Sequence, residues 1–214
     1  GYVYESTGRY GQSSLARFKP GDSQVELLDE LPRDRFGEGL ALLQDVFYVL
    51  TWKSGQVFRY RLHSTDGAAD MQALPPLQLN GEGWGLTDDG QNLWSSNGSA
   101  TLTLRRPDNL QVLRKLEVST LGRPTKWLNE LEWLGGCLAA NVWQSDTLVV
   151  IQPDTGTVTH TLDLGAIARR ERKLGGEAAN GIALRHDNGH WLVTGKNWHH
   201  LYEILPRERN AEQR

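Results

Sequence analysis

The sequence has one cysteine, one methionine and no apolar run near the roughly 20 residues that would span a bilayer. The single cysteine, Cys137, cannot form an intramolecular disulfide, so it leaves the redox compartment open and is most simply a small core residue. The N-terminal stretch GYVYESTG contains no apolar signal core. That fits either a cytoplasmic protein or one whose leader has been removed.

Neither sign of charge dominates, since 23 basic and 26 acidic residues give a formal net charge of −3. The charges are spread along the chain, so we expect neither nucleic acid nor a membrane surface as a partner. The densest basic run, RRERKL at 169–174, is typical of a solvated loop or helical turn. No Cys/His spacing indicates a zinc site, and neither a G-x-S-x-G elbow nor a phosphate-binding glycine loop is present.

What the chain does contain is typical of many short strands joined by tight turns: eight tryptophans and 23 glycines. We therefore predict an all-β fold. A short step recurs at Gly39-Leu40, Gly85-Leu86, Glu130-Leu131 and Gly181-Ile182, at intervals of 46, 45 and 51 residues. Each step opens an apolar strand, a turn and two further strands, a period close to that of a propeller blade of about 40 to 50 residues.

The N-terminal stretch YVYESTGRYGQSSLARF matches the second and third strands of this unit. We therefore predict a five-bladed β-propeller whose first blade lacks its inner strand, which would begin before residue 1. Residues 1–205 form this single domain, and 206–214 are a polar tail.

Antiparallel pairing brings the residues before each first strand and those ending each second strand to the same face of the ring, around the channel. The first set contains Phe36, Glu38, Glu82, Trp84, Asn129, Glu130 and Asn180. The second set contains Glu5, Trp52, Lys53, Asn97, Trp143, Gln144, Lys196 and Trp198. Polar and aromatic residues at equivalent repeat positions predict a ligand pocket.

Plain structural roles remain open for these residues. Each of Trp52, Trp84 and Trp143 could pack a blade, although three of them at one channel mouth favour a cage for a small ligand. Lys196 could be an exposed turn residue, and asparagines such as Asn129 and Asn180 often cap turns.

The motifs ESTGRYG, FGEGL, LTWK, GWGLTDDG, LNELEWL, ANVWQSD, NGIA and VTGKNW together resemble the glutamine cyclotransferase family, the plant and bacterial type of glutaminyl-peptide cyclotransferase. The resemblance runs from residue 4 to about residue 204. It implies a five-bladed β-propeller that cyclises an N-terminal glutaminyl residue of a peptide or protein to pyroglutamate and releases ammonia, without the zinc of the unrelated animal enzyme. Family members are commonly secreted, vacuolar or periplasmic, and for this chain the resemblance implies a periplasmic or secreted location.

The resemblance also assigns roles to residues. By resemblance, Glu38 matches the catalytic acid/base of the family, and Asn129 and Lys196 match its polar partners. The family's aromatic lining is matched by Phe36, Trp52, Trp84 and Trp143. Gln144 and Asn180 are further predicted substrate contacts. The family has an FTQGL-like segment upstream of ESTG, and this chain begins after it. No cofactor or metal is predicted, and the structural calcium of some plant members is not carried over.

Two alternatives remain. The oxygens of Glu38, Asn129 and Asn180 could ligate calcium in a lactonase-like propeller hydrolase. A propeller that binds peptides without catalysis would explain the aromatic residues. The glycines flanking Glu38, Gly37 and Gly39, are expected to let the backbone pass close to a bound glutaminyl group.

Overall fold

The computed structural model describes residues 1–64 and 69–205, and the predicted tail at 206–214 lies outside them. Strands dominate, with one short helix, and the sheets are arranged as a five-bladed β-propeller, as the sequence predicts. Every pairing between neighbouring strands of a blade is antiparallel.

The blades follow one another along the chain. The first contains β1 (Val3–Thr7), β2 (Ser14–Phe18) and β3 (Val25–Glu30). The second contains β4 (Gly37–Leu43), β5 (Val46–Thr51), β6 (Gln56–Ser64) and β7 (Asp70–Gln78). The third contains β8 (Leu86–Asp88), β9 (Leu93–Ser95), β10 (Thr101–Arg105) and β11 (Val112–Glu117).

A small hairpin, β12 (Ser119–Thr120) and β13 (Arg123–Pro124), precedes the fourth blade. That blade contains β14 (Leu128–Trp133), β15 (Leu138–Val142), β16 (Thr147–Ile151) and β17 (Val158–Asp163). The helix α1 (Gly165–Arg172) includes part of the basic run, which is helical rather than a loop. The fifth blade contains β18 (Ala179–Leu184), β19 (Trp191–Gly195) and β20 (Tyr202–Ile204).

The inner strands β4, β8, β14 and β18 lie side by side in that order. The contact of β1 with β4 is equivalent to that of β15, a second strand, with β18. The first sheet has three strands with β1 innermost, at the place of a second strand. This agrees with the predicted blade that lacks its inner strand.

Four apolar clusters hold successive blades together. The first two blades share Leu15 and Phe47, the second and third share Leu50 and Leu86. Equivalent clusters join the third blade to the fourth and the fourth to the fifth. Burial of one such leucine or phenylalanine side chain stabilises the fold by about 1.5–3 kcal/mol.

Short turns with positive φ angles join the first two strands of the second and fourth blades. Gln44 and Asp45 both adopt positive φ, 50° and 62°, as a two-residue turn between twisted strands requires. Gly135 and Gly136 also have positive φ in the corresponding turn of the fourth blade.

Three inner strands contain a β-bulge at the same point of the repeat. The register shifts between Gly37 and Leu40 in β4, between Leu128 and Leu131 in β14, and between Ala179 and Ile182 in β18. A bulge redirects side chains and is common beside functional sites. Each of these bulges contains a predicted site residue, in order Glu38, Asn129 and Asn180.

Candidate active site

Glu38 lies in the β4 bulge and is partly buried. Burial raises the pKa of its carboxyl group to about 7, the positive charge of Lys196 opposes this rise, and the negative charge of Glu82 adds to it. A carboxyl group that titrates near neutrality can both accept and return a proton under ordinary conditions.

Glu130 is a second carboxyl group of the same site. Its pKa is raised to about 8, mainly by burial and then by the charge of Glu38, while the charge of Lys196 opposes the rise. The sequence places Glu130 beside the channel but gives it no role. The available signal is the repeat itself, because the equivalent positions in the other blades are the glycines Gly39, Gly85 and Gly181.

Lys196 reaches this pair from the fifth blade. Its ammonium nitrogen lies 5.8 Å from the centre of the Phe36 ring, which belongs to the segment before β4. The backbone of Lys196 is fixed on both sides, since its N–H donates to the carbonyl of Ala178 and its carbonyl accepts from the N–H of Glu177. The structure therefore brings Glu38 and Lys196 together from the second and fifth blades, as predicted.

Asn129 is 3% exposed, and its side-chain oxygen has no hydrogen-bond partner among the described residues. Its backbone is held in place by Ser96, whose hydroxyl donates to the Asn129 carbonyl at 2.7 Å and accepts from the N–H of Gly85. The side-chain oxygen of Asn180 is likewise buried without a partner in the described part of the chain. Buried polar atoms are normally paired, so these two acceptors are suited to a ligand.

The aromatic residues form two groups. Trp84 and Trp143 meet edge to face with ring centres 5.5 Å apart, and Trp127 contacts both, at 6.4 and 5.4 Å. The other group contains Phe36 and Trp52, with ring centres 5.7 Å apart.

Sequence reasoning missed two members of these aromatic groups. Tyr10 packs on the edge of Phe36 at 5.3 Å. Trp127 is 48% exposed and stands at the repeat position of Phe36, two residues before the bulged side chain. That equivalence was the signal that could have identified it.

Glu82 connects the two aromatic groups. The Nε1–H groups of Trp52 and Trp84 both donate to its Oε2 atom, each at 3.0 Å. The predicted tryptophans thus belong to one continuous arrangement.

Gln144 is exposed, with φ at 61°, and no hydrogen bond joins it to the other predicted site residues in the part of the chain described. Its role as a substrate contact stays a prediction.

The expectation for the glycines beside Glu38 is wrong. A Cβ atom on Gly37 would lie 2.6 Å from the carbonyl oxygen of Thr7, and one on Gly39 would lie 2.4 Å from the backbone nitrogen of Leu86. The space is filled by the backbones of neighbouring blades, so these glycines permit close blade packing rather than the approach of a ligand.

Comparison with known proteins points in one direction. A family model described as glutamine cyclotransferase matches residues 1–205. The glutaminyl-peptide cyclotransferase of Arabidopsis thaliana is 34% identical over 214 residues, which is 98% of this chain and 65% of the length of that relative. The crystal structure of Myxococcus xanthus glutaminyl cyclase superposes with a TM-score of 0.83 at 32% identity, covering 95% of this chain and 85% of that one.

Proposed function

The chain belongs to the glutamine cyclotransferase family, and we propose that it converts the N-terminal glutamine of peptides or proteins to pyroglutamate with release of ammonia. The observation that supports this most directly is Glu38, a carboxyl group with a pKa of about 7 that faces Lys196 inside an aromatic-lined channel. The proposal assigns Glu38 as the general acid/base.

The reaction needs a residue folded back on itself, because the α-amine attacks the γ-carbonyl carbon of the same glutamine. An enzyme can accelerate such a ring closure largely by holding the reactive conformation. The rings of Phe36, Trp52, Trp84 and Trp143 offer flat apolar walls against which the methylene groups of glutamine can fold.

The proton balance needs one group that both accepts and donates. As the new C–N bond forms, the attacking amine must lose a proton, and the departing amide nitrogen must gain one before its bond to carbon breaks and ammonia leaves. Glu38 as carboxylate accepts the first proton and then delivers it.

Lys196 and Asn129 have different hydrogen-bonding roles in this proposal. The ammonium of Lys196 can donate to the carbonyl oxygen as negative charge develops there. The unpaired atom of Asn129 is an acceptor oxygen. That oxygen suits an N–H group of the substrate.

We further propose that the reaction needs no zinc. In the described residues, no group of three or more His, Cys, Asp or Glu side chains is placed to hold a metal ion. The unpaired oxygens of Asn129 and Asn180 keep a calcium-dependent hydrolase as the second candidate. Lys196 beside Glu38 disfavours a cation there, and treatment with a chelator separates the two: a cyclotransferase keeps its activity, and a calcium hydrolase loses it.

The family resemblance also predicts a periplasmic or secreted location. Among the described residues, no helix has the length and apolar character needed to cross a membrane.

The direct test is to incubate the full-length protein with a glutaminyl peptide and measure the peptide mass. Cyclisation removes about 17 mass units as ammonia, because the net change is one ring closure with one proton transfer to the leaving nitrogen. A peptide that begins with asparagine or alanine serves as the control. An unchanged glutaminyl peptide would instead favour the peptide-binding propeller.

A further inference from the structure

Glu82 lies between two blades, in the loop that joins β7 to β8. It is exposed, and it occupies the repeat position that is aromatic in the second and fourth blades, where Phe36 and Trp127 stand. A carboxylate therefore replaces an aromatic ring at the rim of the channel.

Two indole N–H groups that donate hydrogen bonds to Glu82 fix its position. Its Oε2 atom receives the Nε1–H of Trp52, from the second blade, and of Trp84, from the third, both at 3.0 Å. Backbone hydrogen bonds hold the same elements in register, since the N–H of Gly83 donates to the carbonyl of Trp52.

These two hydrogen bonds join aromatic groups that otherwise belong to separate blades. Trp52 packs against Phe36, and Trp84 packs against Trp143 and Trp127. One oxygen atom therefore links the two aromatic walls of the pocket. The ammonium of Lys53 lies over the Trp52 ring, 4.1 Å from its centre.

The carboxylate also acts on the centre of the pocket. Its negative charge contributes to the raised pKa of Glu38. The charge of Lys196 opposes this contribution, and Glu130, whose own pKa is raised to about 8, is the other titratable group that interacts with Glu38.

We propose that Glu82 is a positioning residue of this pocket: one carboxylate oxygen fixes the relative orientation of Trp52 and Trp84, and the carboxylate charge acts on Glu38. This inference rests on the proposed cyclisation for its kinetic consequences. It adds to that proposal a residue that affects both substrate binding and the pKa of the acid/base.

Two substitutions separate the two effects. Glu82→Gln keeps an oxygen that can accept from both indoles but removes the charge, whereas Glu82→Ala removes both. For Glu82→Gln we expect a KM within about twofold of wild type and an acidic limb of the kcat/KM profile shifted to lower pH by about half a unit. For Glu82→Ala we expect the same shift and a KM raised by about tenfold.

Using one substrate throughout keeps the titration of its amine constant, so differences between variants report on the enzyme. Asp89→Asn is the matched control, because Asp89 accepts the Nε1–H of Trp94 at 3.2 Å in a turn that is not part of the pocket. It should change neither KM nor the pH profile. A normal KM in Glu82→Ala, or an unshifted acidic limb in Glu82→Gln, would overturn the inference.

If the wild-type protein does not cyclise glutaminyl peptides, the proposed function fails and Glu82 can still be tested. Near-ultraviolet circular dichroism should then show altered tryptophan bands in Glu82→Ala and unaltered bands in Glu82→Gln. A carboxyl NMR titration of Glu38 should show a lower pKa in Glu82→Gln. Unaltered bands in Glu82→Ala, or an unchanged titration, would contradict the positioning role without reference to activity.

Discussion

The ammonium of Lys196 lies 5.8 Å from the centre of the Phe36 ring, and its charge opposes the effect of burial on Glu38. These residues lie far apart in the chain. The pocket therefore depends on the ring arrangement of the blades, since the second and fifth blades must be placed around one channel before the acid/base and its cation face each other.

Replacing Glu38 by glutamine tests the assigned acid/base. Glu38→Gln keeps the size and hydrogen-bonding capacity of the side chain but cannot carry the proton, so we expect kcat to fall by about 100-fold or more while KM changes little. Steady-state kinetics with a glutaminyl peptide measure both constants. The control is Glu117→Gln, an exposed carboxyl group on β11 bonded to Thr101. Near wild-type turnover in Glu38→Gln would remove Glu38 from the mechanism.

Glu38 should set the acidic limb of the reaction's pH dependence, and Glu130 should stay neutral across it. The pKa is about 7 for Glu38 and about 8 for Glu130, whose rise includes the effect of the Glu38 charge. Glu38 must be ionised to accept a proton, so kcat/KM should fall as the pH decreases through about 7. Glu130 is protonated where Glu38 ionises, so Glu130→Gln, which mimics the neutral side chain, should leave this limb in place. A limb that moves to lower pH in Glu130→Gln would show that Glu130 already carries a charge where Glu38 titrates.

The sequence predicted the blades and much of the site because both depend on local pattern. The interval between Gly39, Gly85, Glu130 and Gly181 gave the blade period, and residues at equivalent positions had to reach the same channel. The rest depended on contacts between blades. The bond from Trp52 to Glu82 joins two blades, and the space beside Gly39 is filled by a neighbouring backbone. No single repeat contains that information.

Lys196 is expected to stabilise the oxygen on which negative charge develops. Lys196→Met retains much of the side-chain length without the charge, and the loss of such a donor typically lowers kcat by about 100- to 1,000-fold. The acidic limb should also move to higher pH, because Lys196 lowers the pKa of Glu38. Lys115→Met, on the exposed strand β11, provides the control. A reduced kcat with an unmoved limb would place the Lys196 charge away from Glu38.

The tryptophan cluster should affect substrate binding, measured as KM, rather than kcat. We expect Trp84→Ala to raise KM by about tenfold, since this ring contacts both Trp127 and Trp143 and a buried aromatic contact is typically worth about 1 kcal/mol beyond its area. Trp127→Ala should raise KM less, because that ring is 48% exposed. Trp127→Phe, which keeps an aromatic face, should restore most of the loss. An unchanged KM in Trp84→Ala would mean that the ring only packs the blade.

Glu132 offers a test of stability independent of activity. It lies on β14, and burial raises its pKa to about 8, with the charge of Asp88 adding to the rise and a hydrogen bond from the Leu184 backbone opposing it. The folded state therefore holds a proton that the unfolded state releases near the ordinary glutamate pKa of 4.5. This contribution to stability is present below pH 4.5 and is lost as the pH rises through about 8.

Glu132→Gln should accordingly raise the Tm at pH 9, by about 2–4 °C for each kcal/mol recovered, and leave it nearly unchanged at pH 4.

Glu171 should show the opposite pH dependence of stability. Hydrogen bonds from Tyr202, His200 and the backbone of His199 outweigh its burial and lower its pKa to about 2. Its contribution is present above pH 4.5, so Glu171→Gln should lower the Tm at neutral pH. Thermal melts of both variants at pH 4, pH 7 and pH 9 measure these shifts. A Glu132→Gln protein less stable than wild type at pH 9 would show that the Glu132 carboxylate is stabilised in the fold.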